Sequence, residues 1–317
     1  MRSLKTIFDL GDECGVLRMS IAVTIVISTF GVGFGLLSGS FSILFDGVYS
    51  LIDASMSLLA LTVVNLIRSY TDAAAASKRL RDRFTVGFWH LEPMVLGLNG
   101  ILLMGVSAYA FFNAVSLLLD GGRPLEFGFA IVYAVVTVLA CALAAVLEMR
   151  ANRSIRSDFI ALDARAWVMS GGITLALLVA FTIGAAIEGT TYGWLAPYVD
   201  PAVLAVVCLV LIPLPVGTVK QALADILLVT PSDLKAHVDE VARKAMATYG
   251  FRSFRAYVAK VGRAQQIELY FIVPADAPAR AITEWDAMRD AIGSAIGPDS
   301  PDRWLTIIFT GDMEWAE

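Results

Sequence analysis

The stretch GSFSILFDGVYSLIDASMSLL, residues 39–59, is apolar except for a small set of groups: Asp46, Tyr49, Ser50 and Asp53. Spacings of three, four and seven residues put all four on one face of a helix. Carboxylate, phenol and hydroxyl oxygens gathered in this way could ligate a cation, carry a proton or line a water-filled cavity. An ionised Asp at the centre of a bilayer costs about 2.5–3.5 kcal/mol even on the lenient insertion scale. Two such acids therefore need an offset, which a cation, a basic partner or water would supply. No Lys or Arg lies at the depth of Asp53 in any apolar stretch, which leaves a cation or a buried hydrogen bond. Asp46 lies nearer the outer surface and could equally be solvated; Tyr49 could equally be a packing ring.

Two further stretches place polar groups in apolar surroundings. GFWHLEPMVLGLNG puts His90 at a helix edge, Glu92 just inside it and Asn99 two turns deeper on the face of Glu92. DFIALDARAWVMSGG puts Asp163, Trp167 and Ser170 on one face, with Arg165 available to neutralise a nearby acid. Acids near helix ends commonly pair with loop arginines, and that reading stands beside a functional one for Glu92 and Asp163. Likewise Ser50 and Ser170 are expected to bond to their own helix backbone unless a ligand claims them. Enzymatic chemistry is disfavoured. His90 and His237 are the only histidines, and there is no His-Glu-x-x-His helix, Gly-x-Ser-x-Gly turn or Walker-type phosphate loop.

The elements that must carry these residues follow from composition. With 57% hydrophobic and 17% charged residues over 317 positions, and a mean hydropathy of +0.71, the chain is too apolar for a soluble domain of its length. Apolar runs of bilayer-spanning length fall near 17–37, 42–66, 92–119, 127–147, 160–187 and 200–219. The first is preceded by acids and followed by no small-residue cleavage site, so it reads as a true span. Arg68, Lys78, Arg79, Arg81 and Arg83 sit between spans two and three, and Arg150, Arg153 and Arg156 between four and five, while the opposite loops carry only Arg123. The positive-inside rule then predicts cytoplasmic N and C termini, and the helical spans, with no organelle-targeting signal, point to a cell inner membrane. The same basic cluster would contact anionic lipid and repel cations, an effect that Asp72 and Asp82 offset in part. The net charge of −5 and the lack of a basic block point away from nucleic acid, and Cys14, Cys141 and Cys208 are too scattered for a disulfide framework or thiolate cluster.

From Thr230 onward the pattern changes. SDLKAHVDEVARKAMATYG has helical periodicity with a Ser/Asp start and Gly250 as a stop; FRAYVAKV and QIELYFIV form a hairpin about Gly262-Arg263. ITEWDAMRDAIGSAI places Ile282, Trp285, Met288, Ile292 and Ile296 on one stripe, and WLTIIF is a last strand. The expected architecture is a six-helix transmembrane domain over 1–229 and a cytoplasmic α-β-β-α-β, ferredoxin-like domain over 230–317. The tail reads as a dimerisation module, with Trp285, Trp304 and Trp315 as apolar surface, though Trp285 serves a buried core equally well.

In order and spacing these stretches resemble the cation diffusion facilitators. GSFSILFDGVYSLIDASMSL is similar to their second transmembrane segment, VGFWHLEPMV to the start of the third, LDARAWVMSGG to the fifth and YVDPAVLAVV to the start of the sixth. The resemblance covers nearly the whole chain. It implies a homodimeric secondary transporter that exports a divalent metal cation from the cytoplasm in exchange for protons, with metal as cargo and no cofactor. It also implies a transport site made of two positions on the second helix, here Tyr49 and Asp53, and two on the fifth, here Ala166 and Ser170. Zinc-transporting members supply Asp or His at all four. With one carboxylate, one phenol, one hydroxyl and a methyl group, supplemented by Asp46, Asn99 or water, the site favours harder ions such as Mn²⁺, Fe²⁺ or Mg²⁺ over Zn²⁺. Phe309 stands where a ligand His is expected in the tail, so metal sensing there would depend on acids such as Glu268, Asp312 and Glu314. The alternative is a transport-inactive relative that acts as a scaffold or heterodimer partner.

Overall fold

The computed structural model describes residues 13–71, 83–85, 87–155 and 158–317. Lys78, Arg79, Arg81 and Arg156, with Asp72 and Asp82, lie outside them. In chain order the elements are α1 (Glu13–Ser38), α2 (Phe41–Thr71), α3 (Leu91–Leu119), α4 (Phe127–Ile155), α5 (Asp158–Ile187), α6 (Ala196–Leu211), α7 (Val216–Ile226), α8 (Ser232–Tyr249), β1 (Ser253–Val261), β2 (Ala264–Ile272), α9 (Ile282–Ile296) and β3 (Arg303–Thr310). Two compact units divide them: Met1–Leu58 with Asn99–Val216, and Leu59–Leu98 with Gly217–Glu317.

Among the described residues six helical segments are long and apolar enough to cross a membrane: Gly15–Ser38, Phe41–Ile67, Leu91–Leu119, Phe127–Ile155, Asp163–Ile187 and Gly193–Ile226. They match the six runs in the sequence with two differences. The fourth helix continues past residue 147 to Ile155. The sixth run is interrupted: α6 ends at Leu211, residues 212–215 form turns, and α7 follows. Pro213 and Pro215 explain the break, since neither supplies an amide hydrogen and each ring crowds the preceding helical turn.

In the first unit, α4 packs along α5 and also against α1, and α5 packs against α6. Val26, Leu36, Leu37, Phe112, Leu119 and Leu139 remain 64–82% exposed, which suits contact with lipid chains and not water. Small residues bring α1 and α2 together, as expected where no hydrophobic force separates helix from lipid. A side-chain carbon built on Gly47 would lie 2.7 Å from the Val32 amide, and one on Gly35 would lie 2.6 Å from that of Leu44. The start of α2 is held from α6. Asp200, 2% exposed, accepts from the Ser40 hydroxyl at 2.6 Å, the Phe41 amide at 2.9 Å and the Ser42 amide at 3.3 Å, while Ser42 donates to the Asp200 carbonyl at 2.9 Å. A carboxylate is the natural acceptor for the unpaired amides and positive dipole end of a helix N-terminus.

In the second unit a three-stranded sheet has the order β1-β2-β3, with β1 and β2 antiparallel and β2 and β3 parallel. The α-β-β-α-β order matches expectation. Gly262 opens the hairpin turn with φ +61°, the left-handed conformation that the first central residue of a type II′ turn requires. Gly250 ends α8 with φ +75°. The Ser/Asp start of α8 differs in detail: Pro231 occupies the cap position and no side chain caps the helix. The core joins Val238, Val258, Ile267, Leu269, Phe271, Met288, Ile292 and Ile296, with Trp285 packed against it. Ile282 leaves the predicted stripe and is 76% exposed, because it occupies the first position of α9, ahead of the turns that face the sheet. Phe309 packs against Trp285 with ring centroids 4.7 Å apart and against Phe251 at 5.4 Å, with the Arg289 guanidinium over its ring. Where a ligand His was expected, this chain has a core aromatic. Trp304 and Trp315 are 41% and 74% exposed.

Candidate functional site

Within the first unit a cavity of about 290 Å³ is lined by Asp46, Tyr49, Ser50 and Asp53 of α2, Tyr133, Thr137 and Cys141 of α4, and Asp163, Ala166, Trp167 and Ser170 of α5. A water's share of liquid volume is about 30 Å³, so the cavity accommodates a cation together with water. The helical spacing read from residues 46–53 therefore does turn one polar face of α2 toward a common space, and α5 supplies the opposite wall. The same cavity takes in Ser28 of α1 and Leu204, Val207 and Leu211 of α6.

Each predicted site residue has an identifiable surrounding. Asp53 Oδ1 accepts from Asn99 Nδ2 of α3 at 3.2 Å. The other end of that amide, Asn99 Oδ1, is buried with no hydrogen-bond partner. Asp46 is engaged by the Tyr133 hydroxyl at 2.7 Å. Tyr133 is fully buried, whereas Asp46 is only partly buried and lines the cavity, so the phenol bond leaves it in contact with cavity water. Gly31 of α1 makes room for it, since a side-chain carbon there would lie 2.9 Å from the Tyr133 oxygen. Tyr49 stacks obliquely on Phe45 with ring centroids 5.5 Å apart and packs at the edge of a buried cluster containing Leu204 and Cys208, while still lining the cavity. Ser170 faces the Cys141 thiol at 3.9 Å. Ala166 presents only its methyl group.

The two acids expected near helix ends behave differently. Glu92 forms a two-armed ion pair with Arg263, whose Nε lies 2.9 Å from Oε2 and whose second arm reaches Oε1 at 3.1 Å; the Arg263 amide also donates to Oε2, at 3.3 Å. Its partner is thus the hairpin turn, not an arginine of a loop between spans, and the carboxylate holds the Arg263 guanidinium above the usual arginine range. Asp163, in contrast, lines the cavity, while Arg165 is exposed and among the described residues pairs with no acid. His90 is exposed, and His237 lies 3.0 Å from the Ile296 carbonyl.

Several groups at the site escaped the sequence reading. Tyr133, Thr137 and Cys141 recur every four residues in the fourth apolar run, a helical-face signal that the sequence reading passed over because only weakly polar groups carry it. Glu148, fully buried, reads in the sequence as a loop acid one residue beyond the fourth span. Its Oε1 accepts from Trp167 Nε1 at 3.1 Å, and the same N–H reaches Ser20 Oγ at 2.8 Å. Among the described residues no three His, Cys, Asp or Glu side chains are grouped to hold a metal ion. Any cation here would complete its shell with neutral oxygens and water.

Six apolar helices, five of which line a cavity rich in oxygen donors, followed by a small α/β region, define a multi-pass membrane protein of the solute-transporting kind. The family model of the cation efflux transmembrane domain matches residues 17–227, and the chain belongs to that family, the cation diffusion facilitators. Its members are transporters of divalent metal cations and not enzymes, and the metal is their substrate, not a cofactor. No curated protein matches the chain.

Proposed function

We propose that this protein exports a divalent metal cation from the cytoplasm, in exchange for protons, through the cavity between α2 and α5. The observation that carries this reading is the convergence of Asp46, Tyr49, Asp53 and Ser170, from two helices, on one cavity in a cation efflux protein. Asp53 is the central ligand. The orphaned Asn99 carbonyl beside it supplies a neutral oxygen that a hydrated cation would satisfy, and an unpaired buried acceptor costs about 1–3 kcal/mol. Tyr49, Ser170 and Asp46 complete the set, with Asp46 giving up its Tyr133 bond when it takes part. An all-oxygen set with no His favours Mn²⁺, Fe²⁺ or Mg²⁺ over Zn²⁺.

Transport follows an alternating-access scheme in which α2 and α5 close the site, and a proton on Asp53 displaces the cation toward the acidic side. The remaining parts of the proposal are a homodimer joined through the tail, an inner-membrane location with both termini cytoplasmic, a lipid environment, and a domain boundary at residue 229. Purified protein in proteoliposomes with a pH gradient tests the reading against Mn²⁺, Fe²⁺, Co²⁺, Zn²⁺, Cd²⁺ and Mg²⁺. Flux of the harder ions, lost in Asp53→Ala with the fold intact, is expected; equal flux in that variant refutes it. The methyl group at Ala166 favours a second reading, a transport-inactive scaffold or heterodimer partner. That reading expects no flux with any ion, and a phenotype that survives Asp53→Ala but not removal of the tail.

A further inference from the structure

Glu148 has no place in the cation site just described, yet nothing of its side chain reaches solvent. One oxygen accepts from Trp167; the other, Oε2, is buried with no hydrogen-bond partner. An ionised carboxylate left this way in a low-dielectric interior is strongly unfavourable unless a positive charge compensates it. The helices around it offer none. The basic residues of α1, α4 and α5 are Arg18, Arg150, Arg153 and Arg165, all exposed, and no ion pair among the described residues includes Glu148. From α1 the group facing it is Ser20, which does not titrate. On its own helix Cys141 lies two turns away. From α5 comes Asp163, near enough to interact electrostatically with both Glu148 and Asp53. Asp163 lines the cavity, and so does Trp167, which donates to Glu148.

A metal ion does not fit this spot. Such an ion needs four or more donors, whereas here two carboxylates meet, one of them sealed from water and partly occupied by an indole N–H. A proton fits: on Oε2 it removes the charge and turns the orphaned acceptor into a donor toward Asp163. We propose that Glu148 and Asp163 form a proton-binding carboxyl pair, separate from the metal ligands, that exchanges protons with the cavity that holds Asp53. The pair carries one proton between two oxygens. A proton released by Glu148 passes to Asp163 and on to cavity water, and one that Asp163 takes from cavity water returns to Glu148, so the pair empties and refills through the cavity. As the route by which transport is coupled to protons, the pair rests on the proposed exchange; as a protonated acid, it does not.

Infrared spectroscopy of the full chain in lipid nanodiscs tests the pair without any metal. At neutral pH the wild type is expected to show the carbonyl band of a protonated carboxylic acid, and Glu148→Gln to lose it. Asp53→Asn should keep it, and Glu148→Asp, which retains a carboxyl group, should keep it in shifted form. Asp163→Asn, which offers an amide N–H donor to the same oxygen, should weaken it. A band that persists unchanged in folded Glu148→Gln, or that is missing from the wild type, overturns the proposal. Proteoliposomes supply the second arm: the acceleration of cation flux by an acidic exterior should fall to about one-fold in Glu148→Gln. Undiminished acceleration in that variant overturns the coupling role. Absence of flux in the wild type would count against the proposed transport while leaving the infrared result to decide the pair.

Discussion

Replacing Asp200 separates two roles for a residue that begins the sixth-segment motif. The structure makes it the cap of α2: its carboxylate takes the Phe41 and Ser42 amides and the Ser40 hydroxyl, at 2.9, 3.3 and 2.6 Å, in a place 2% exposed. Hydrogen bonds to a charged acceptor contribute about 1.5–3 kcal/mol each, and losing a cap costs about 0.5–2 kcal/mol. Asp200→Ala leaves two amides without an acceptor and little access for water to replace it. A loss of about 3–5 kcal/mol follows, less than the full sum because the helix end can fray. Asp200→Asn keeps one acceptor oxygen without the charge and should lose about 1–2 kcal/mol. On the scale of a unit this size, roughly 2–4 °C per kcal/mol, the melting temperature in detergent should fall by about 6–20 °C for Ala and by a few degrees for Asn. Flux should fall only in step with stability, since the cap sets the register that presents Asp46, Tyr49 and Asp53. An Ala variant melting within about 2 °C of wild type refutes the capping argument. An Asn variant as stable as wild type but without flux would do the same, by making Asp200 a ligand.

Other substitutions probe the remaining contacts. Tyr133→Phe removes the hydroxyl held by Asp46 and should destabilise by about 1–3 kcal/mol in thermal unfolding, while Tyr133→Ala should cost more by emptying a fully buried ring. A double-mutant cycle on Glu92→Gln and Arg263→Met should return a coupling of about 1–2 kcal/mol, above the usual surface value because the pair is two-armed and only partly exposed; additive effects would mean that the pair contributes nothing. Ala166→Asp adds a second carboxylate to the cavity wall opposite Asp53. Divalent-ion affinity, followed by calorimetry, should tighten tenfold or more, about 1.4 kcal/mol; unchanged affinity would mean that position 166 does not face the cation.

Periodicity and composition alone were enough for the architecture, because membrane helices must satisfy every backbone group internally and so announce themselves by length and hydropathy. The polar face of α2 was equally legible: residues three, four and seven apart share a side whatever surrounds them, and Asp46, Tyr49, Ser50 and Asp53 do line one cavity. What faces that side is a matter of tertiary packing. Tyr133 and Glu148 come from α4, roughly 90 residues or more from α2 in the chain; Tyr133, Thr137 and Cys141 share one helical face there, but only packing shows that this face meets Asp46 and that Glu148 meets Trp167. Pairings across long separations, Asp46 with Tyr133, Asp200 with Ser40 and Glu92 with Arg263, depend on helices and strands meeting in space. Local sequence sets which direction a side chain points from its own helix axis. Only the packed fold decides whether it meets a partner, a cavity or lipid, since that depends on surfaces brought together by burial of the whole chain.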